Sequence, residues 1–243
     1  MKKILTLSLT CLYITHACAV TQSFKVIKYL DVTNAIGAIS IVRVGHAMPD
    51  DIVVTYELPE DPSNVKITLE KMHDGALRCL AKSFPNSNSH ITMPPGVIFS
   101  PAVVGTSSSI FINGVLVTSQ PVPEVDLALL VSPSAPLRAV RASTQNNPIT
   151  LRGLVAGAIH VCGVSGDIRA SLLEGNTFIR TTNGSITLDL HDRCKAISAT
   201  TTRGDVRVRE SRFLGSLSAQ VMVGGYFLWW SSCRKSFLQN IGS

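Results

Sequence analysis

Several kinds of chemistry are missing from this sequence. It has six cysteines but no C-x-x-C pair, which removes the usual support for thioredoxin-type redox work or a ribbon-type zinc site. Its histidines, including His46, His73, His90, His160 and His191, never stand at a ligand spacing such as H-x-x-x-H. The stretch Cys162-Gly163-Val164-Ser165-Gly166-Asp167 is not a G-x-S-x-G nucleophile elbow, because the glycines fall at the wrong offsets. The calcium-binding nonapeptide G-G-x-G-x-D is missing too. No basic run exists to make the concentrated face that nucleic acid needs. No apolar run reaches the roughly 20 residues of a spanning helix, and no amphipathic helical pattern of useful length appears. These absences assign no catalytic, cofactor or metal-binding residue.

The N-terminus reads as an address. Met1-Lys2-Lys3 precedes an apolar run from Ile4 to Ile14 and then Ala17-Cys18-Ala19, the order of a basic region, a short apolar core and a small-x-small cleavage site. The expectation is a bacterial-type signal peptide, residues 1–19, cut after Ala19. Thr15-His16-Ala17 lacks the branched apolar residue and small pair that a lipidated Cys18 would require. Cleavage leaves 20 basic against 16 acidic residues, a diffuse charge that favours solubility. It also leaves Cys79, Cys162, Cys194 and Cys233, for which three two-bridge pairings exist and none is favoured by spacing.

What the sequence has in quantity is a repeat. Taking Gly204 as origin, Ile197 and Ala199 lie seven and five residues before it, and Val206 and Val208 two and four after. Gly184 is framed in the same way by Thr177, Ile179, Ile186 and Leu188, and Gly166 by Ile159, Val161, Ile168 and Ala170. Asn147 takes the origin with Val140, Ala142, Ile149 and Leu151; Gly224 does so with Leu217, Ala219, Tyr226 and Leu228. The origins are spaced by 19, 18, 20 and 20 residues. The apolar positions alternate on each side of the origin, as in a strand with one buried face, and the phase changes across it, which demands a turn. Glycine or asparagine suits that turn. Outward positions such as Arg169, Thr187, Arg207 and Arg209 are polar.

The fold class expected is therefore all-β, a parallel β-solenoid with about five coils of 18–20 residues over 136–230. A less regular β region over 20–135 precedes it and a tail over 231–243 follows. Within the first region, the template recurs about Gly37, and "DDIVVTYEL" and "NVKITLEKM" read as strands joined by the turn-rich "PEDPS". Lys82 to Ser109, rich in Ser, Asn and Pro, reads as an insertion or long loop.

"SFKVIKYLDVTNAIGAISIVRV", "VPEVDLALL", "VSGDIRASL", "TTNGSITLDL" and "TTRGDVRV" together resemble the bacterial adhesin-like domains of unknown function related to autotransporter-adhesin heads. The resemblance covers most of Ser23 to Val208 and implies an exported or surface-exposed protein with a β-helical body and no catalytic residues. The chain departs from it after Gly225, where "YFLWWSSC" offers no further unit. Phe227, Trp229 and Trp230 are expected to plug the end of the stack, with an interfacial membrane patch shared with Arg234 and Lys235 as the other reading.

The function expected is an exported, non-enzymatic scaffold of the periplasm or cell surface, with an adhesive role implied by the resemblance. Its partners would be envelope or surface glycans or proteins, without nucleic acid or a cofactor. The alternative is a β-helical carbohydrate-active enzyme using Asp167 and Asp205, equivalent positions two coils apart and so roughly 10 Å from each other. Aspartate is also an ordinary turn residue, which makes the structural reading the plainer one. Arg203-Gly204-Asp205, the integrin-binding tripeptide, falls on a repeat corner, where the turn explains Gly204. Asn183-Gly184-Ser185, formally a glycosylation acceptor, is explained by the same corner.

Overall fold

The computed structural model describes residues 18–84, 109–112, 115–118, 123–210, 215–229 and 236–240. The chain opens with β1 (Cys18–Phe24), then β2 (Tyr29–Asn34) and β3 (Ile39–Arg43) on either side of Gly37. Next come β4 (Ile52–Leu58), a single 3-10 turn (Pro62–Asn64), β5 (Val65–Lys71) and β6 (Ala76–Ser83). A hairpin of β7 (Ser109–Ile112) and β8 (Val115–Thr118) pairs only with itself, and β9 (Leu127–Val131) rejoins the main body. Strands then alternate in pairs: β10 (Ala139–Thr144) and β11 (Ile149–Arg152), β12 (Val155–Ser165) and β13 (Ile168–Ser171), β14 (Glu174–Asn183) and β15 (Ile186–Leu190). They continue with β16 (Cys194–Arg203) and β17 (Val206–Glu210), β18 (Ser216–Val223) and β19 (Tyr226–Trp229), and finally β20 (Ser236–Asn240). The molecule is all-β, and the 3-10 turn is the only helix among the described residues.

Two nine-stranded mixed sheets hold almost everything. Sheet I runs β1-β4-β9-β3-β11-β13-β15-β17-β19, and sheet II runs β20-β18-β16-β14-β12-β10-β2-β6-β5. Each repeat unit gives its first strand to sheet II and its second to sheet I, and successive units pair in parallel. The registers reproduce the sequence template position by position. In sheet II the inward row Leu77, Leu30, Val140, Ile159, Thr177, Ile197, Leu217 crosses seven strands. In sheet I the row Leu127, Ile39, Ile149, Ile168, Ile186, Val206, Tyr226 does the same. Nearly all of these side chains are buried in one continuous core, and each fully buried Leu, Ile or Val is worth about 1.5–3 kcal/mol.

The sequence template overlooked one unit, and its pieces show why. β6 pairs in parallel with β2, and β9 with β3, so Leu77, Cys79, Leu127 and Leu129 hold the four inward template positions. Between them, in place of the corner, the chain makes a long detour that contains the β7–β8 hairpin. That detour hid the period. Most of the stretch read as an insertion, Lys82–Ser109, lies outside the described residues. The layer built from β2 and β3 is not peripheral either: it lies between the β6/β9 layer and the β10/β11 layer in both sheets.

Antiparallel strands close the early end of the stack, as the edges of parallel sheets require. β4 pairs antiparallel with β9 and β1 in sheet I, and β5 pairs antiparallel with β6 in sheet II. β5 carries exposed Lys66, Glu70 and Lys71, charges that discourage further strand pairing. β1 spans the expected cleavage point; after cleavage Val20–Phe24 would keep its pairing with Ile52–Tyr56. At the other end β20, in the stretch read as tail, adds a parallel strand to sheet II beside β18.

The 3-10 turn is capped by Asp61, whose carboxylate accepts from Ser63 N; hydrogen bonding from the Ser63 side chain first, and then from its backbone N–H, holds that carboxyl below the usual carboxylate range. Fully buried Asn34 fixes the first corner. Its Nδ2 donates to Ala38 O at 3.0 Å and Val125 O at 2.7 Å, and its Oδ1 accepts from Ile36 N. One side chain thus ties the β2–β3 corner to the point where the detour returns.

Within the apolar inward rows one hydroxyl is out of place: Thr177, between Ile159 and Ile197, is buried with no partner for Oγ1. A buried unsatisfied hydroxyl costs about 1–3 kcal/mol. Thr177→Val keeps the shape and removes the hydroxyl, so it should stabilise the fold by about 1 kcal/mol, read as a higher melting temperature; an unchanged or lower one would show that Oγ1 is satisfied.

Candidate functional site

The corners between paired strands carry most of the residues singled out by sequence. At each, the origin glycine packs its Cα against the carbonyl of the preceding layer's origin residue. A Cβ on Gly204 would lie 2.3 Å from Gly184 O, and one on Gly166 would lie 2.6 Å from Asn147 O. Gly204 also sits at φ 137°, where a side chain is strained. Glycine is required here by both contact and backbone.

The residue after the origin forms a second ladder. Asp167 Oδ1 accepts from Ser185 N at 2.9 Å, Ser185 Oγ accepts from Asp205 N at 3.4 Å, and Asp205 Oδ1 accepts from Gly225 N at 3.1 Å. Each side chain thus caps the backbone N–H of the next layer. Asp126 does the same for Ala38 N at 2.7 Å. Sequence reasoning missed Asp126, although it precedes Leu127-x-Leu129 just as Asp167 precedes Ile168-x-Ala170.

This arrangement bears on both hypotheses attached to these aspartates. Asp167 and Asp205 lie on corners two layers apart with Ser185 between, as the template requires, and each accepts from a backbone N–H of the next layer. Asp205 Oδ2 also takes a 3.1 Å bond from Arg207 Nη2. Their structural duty is plain, and the geometry adds no support for an acid–base pair. The tripeptide Arg203-Gly204-Asp205 is equally constrained. β16 ends at Arg203 and β17 begins at Val206, so only Gly204 and Asp205 lie outside strands. Gly204 is packed and Asp205 is bonded at both oxygens, which is not the mobile loop tip that integrin recognition needs.

The outward rows are mainly polar, as expected. On sheet I, Thr150, Arg169, Thr187 and Arg207 form one row, and Arg152, Ser171, Asp189 and Arg209 the next. On sheet II, Arg141, His160, Phe178 and Ser198 align, with the His160 and Phe178 rings stacked at 5.0 Å. The template gave their register but not the stacking. Phe227 does not plug the stack: it is 45% exposed, and the Arg207 guanidinium lies 5.5 Å from its ring centroid. It pairs with outward Arg207, so strand parity turns it away from the core. Trp229 ends β19, and Trp230 lies outside the described residues. A shallow recess at the opposite corners is lined by Gly153, Leu172, Leu173, Glu174, His191 and Arg193, with an Arg193–Glu174 ion pair at 3.2 Å and a His191–Asp192 contact. No group of three or more potential metal ligands occurs among the described residues.

The cysteines do not form a disulfide framework. Cys79, Cys162 and Cys194 are free thiols. Cys79 is on β6 and Cys194 on β16, five strands apart in sheet II, or about 24 Å at the usual strand spacing. Cys162, on β12, faces outward, two strands from Cys194 on β16 and three from Cys79 on β6. Each of the three two-bridge pairings needs one bond among these three residues, so none of them is made; Cys233 lies outside the described residues. Burial, with Asp31 adding to it, pushes the Cys79 thiol up to about 12. Burial also pushes Cys194 up to about 11, against the Lys195 backbone N–H and helped by Glu174. Thiols ionising at 9.0 in the unfolded chain but higher in the fold support folding fully below pH 9.0, and that support is lost as pH rises through about 11 to 12.

Two measurements check this geometry. Gly204→Ala should destabilise the protein by about 3 kcal/mol, through contact and strain together; a melting temperature within error of the parent would remove the packing argument. Native alkylation near pH 8 should modify Cys162 and spare Cys79 and Cys194 until denaturant is added, as read by peptide mass mapping. Early modification of either buried thiol would contradict the burial.

No protein-family model matches the chain, so the resemblance given above rests on its short motifs, and no curated protein matches it either. Among solved structures, the chain is similar to a "putative cell adhesion protein" from Clostridium sporogenes ATCC 15579, with 8% identity, 87% of this chain and 98% of that one covered, and a TM-score of 0.45. It is similar also to a "putative adhesin" from Bacteroides fragilis NCTC 9343, with 11% identity, 88% and 97% covered, and a TM-score of 0.36. A third, a "putative adhesin" from Parabacteroides merdae ATCC 43184, has 9% identity, 94% and 95% covered, and a TM-score of 0.31.

Proposed function

We propose that this is an exported, non-enzymatic protein of the bacterial envelope or surface, built as a flattened β-solenoid in which each repeat unit is one coil, and serving as an adhesin-like scaffold. The observation that carries the reading is the unit-on-unit register, which holds at every inward template position although β12–β14 and β14–β16 shift at the start of their strands. Inward rows of apolar side chains run through seven strands of each sheet, so every outward residue recurs at strand spacing on a broad, flat face. Such a surface suits an extended partner better than a small substrate held in a cleft.

Two further observations agree with it. The leader Met1 to Ala19 has the order of an export signal. The aspartates that an enzyme reading would use cap backbone N–H groups instead.

The experiment is cell fractionation with N-terminal sequencing and surface protease digestion, beside a turnover assay on a polysaccharide panel. The expected result is an envelope or surface protein beginning at Val20, with no polysaccharide cleaved by the purified chain. Cytoplasmic retention with an intact leader, or cleavage of any polysaccharide that is lost in Asp167→Asn/Asp205→Asn, would overturn the proposal.

A further inference from the structure

The outer face of sheet I has an unbalanced charge. Across four adjacent strands, β11, β13, β15 and β17, it presents Arg152, Arg169, Arg207 and Arg209, all exposed; among the described residues the one outward carboxylate within those strands is Asp189, while Asp167 and Asp205 sit at the corners that open β13 and β17, bonded to backbone N–H groups. Arg207 is held by Asp205 and lies over Phe227. Arg152, Arg169 and Arg209 form no ion pair among the described residues. Hydroxyls fill the places between: Thr150 and Thr187 flank Arg169, and Ser171 is opposite Arg152. Parallel strands about 4.8 Å apart make this a strip roughly 14 Å long, running along the stack and across the strands.

We propose that this strip binds a linear acidic polysaccharide with one carboxylate per sugar, a polyuronate, lying along the stack. The inference rests on the exported reading only in that such polymers lie outside the cell; the binding itself is a property of the face. Guanidinium groups pair with carboxylates through two parallel hydrogen bonds, and arginine keeps its charge at any relevant pH. The interleaved threonine and serine hydroxyls can exchange hydrogen bonds with sugar hydroxyls between the charged groups. Charge spacing selects the polymer. Duplex nucleic acid carries one charge per about 1.7 Å of axis, far denser than guanidiniums set one or two strands apart, with Asp189 among them to repel a phosphate backbone. A polymer with one charge per sugar meets the strip without crowding Asp189.

The test uses the purified mature chain and three polymers: polygalacturonate, its fully methyl-esterified form, and duplex DNA. Two charge-matched variants accompany it, Arg169→Gln/Arg209→Gln on this face and Arg141→Gln/Arg180→Gln on the outer face of sheet II. The proposal expects binding to polygalacturonate that weakens as salt rises from about 50 mM to about 500 mM, and little binding to the ester. It expects about a tenfold loss in Arg169→Gln/Arg209→Gln and less than about twofold in Arg141→Gln/Arg180→Gln, with both variants melting close to the parent. Equal losses in the two variants, equal binding to the ester, or tighter binding to DNA would each overturn it. Failure here in a protein that is nevertheless found at the surface would leave the scaffold reading standing. Cytoplasmic retention would remove that reading whatever these affinities are.

Discussion

The close approach of backbone to backbone at the repeat corners is the constraint on which the rest depends. Gly204 and its counterparts let one layer's chain rest directly on the carbonyl of the layer before. With the corner fixed, the strands on either side have no freedom to slip by a residue. A slip of one would turn every buried Ile, Leu and Val toward solvent and every Arg and Thr inward. The hydrogen bonds from Asp126, Asp167, Ser185 and Asp205 act beside that contact, each joining a side chain of one layer to the backbone of the next. The apolar rows then supply the bulk of the stability, but the corners decide which rows they are.

Much of this was legible before any coordinates. The offsets of seven and five before the origin, and two and four after it, named the inward residues of six layers, because two-residue alternation and a turn glycine are strong local signals. What escaped notice escaped for physical reasons. The layer of Leu77, Cys79, Leu127 and Leu129 obeys the same pattern, but its halves are separated by the detour, so the period of about 19 residues is lost there. Asp126 was missed for the same cause. The antiparallel closing strands β1, β4 and β5 follow no repeat, since their task is to end one. The outward turn of Phe227 follows from strand parity, yet a cluster of aromatics suggested burial more loudly.

The functional side was less legible than the fold. The expected export leader is one contiguous stretch of sequence, Met1 to Ala19, whereas the proposed binding face is made of residues some 20 positions apart that meet only across strands. Arg152, Arg169 and Arg209 gain their common character from stacking. The tripeptide Arg203-Gly204-Asp205 works the other way: conspicuous as a string, it becomes a packed glycine and a bonded aspartate once its neighbours in space are known.

The order of layers has a kinetic consequence. β2 and β3 leave the ribosome, or a translocation pore, before nearly everything else, yet they occupy an interior layer. One side of that layer is completed by β6 and β9, and the other by β10 and β11, whose Ser143 hydroxyl meets Thr33 across a separation of 110 residues. β6 can close one edge of β2 early, but the other edge of β2 waits for β10, and both edges of β3 wait for β9 and β11, past the middle of the chain. Later layers can add in turn, each on a finished template. Assembly of this molecule thus has a slow, long-range opening step followed by fast local growth, and the opening step is when its strands are most exposed to wrong partners.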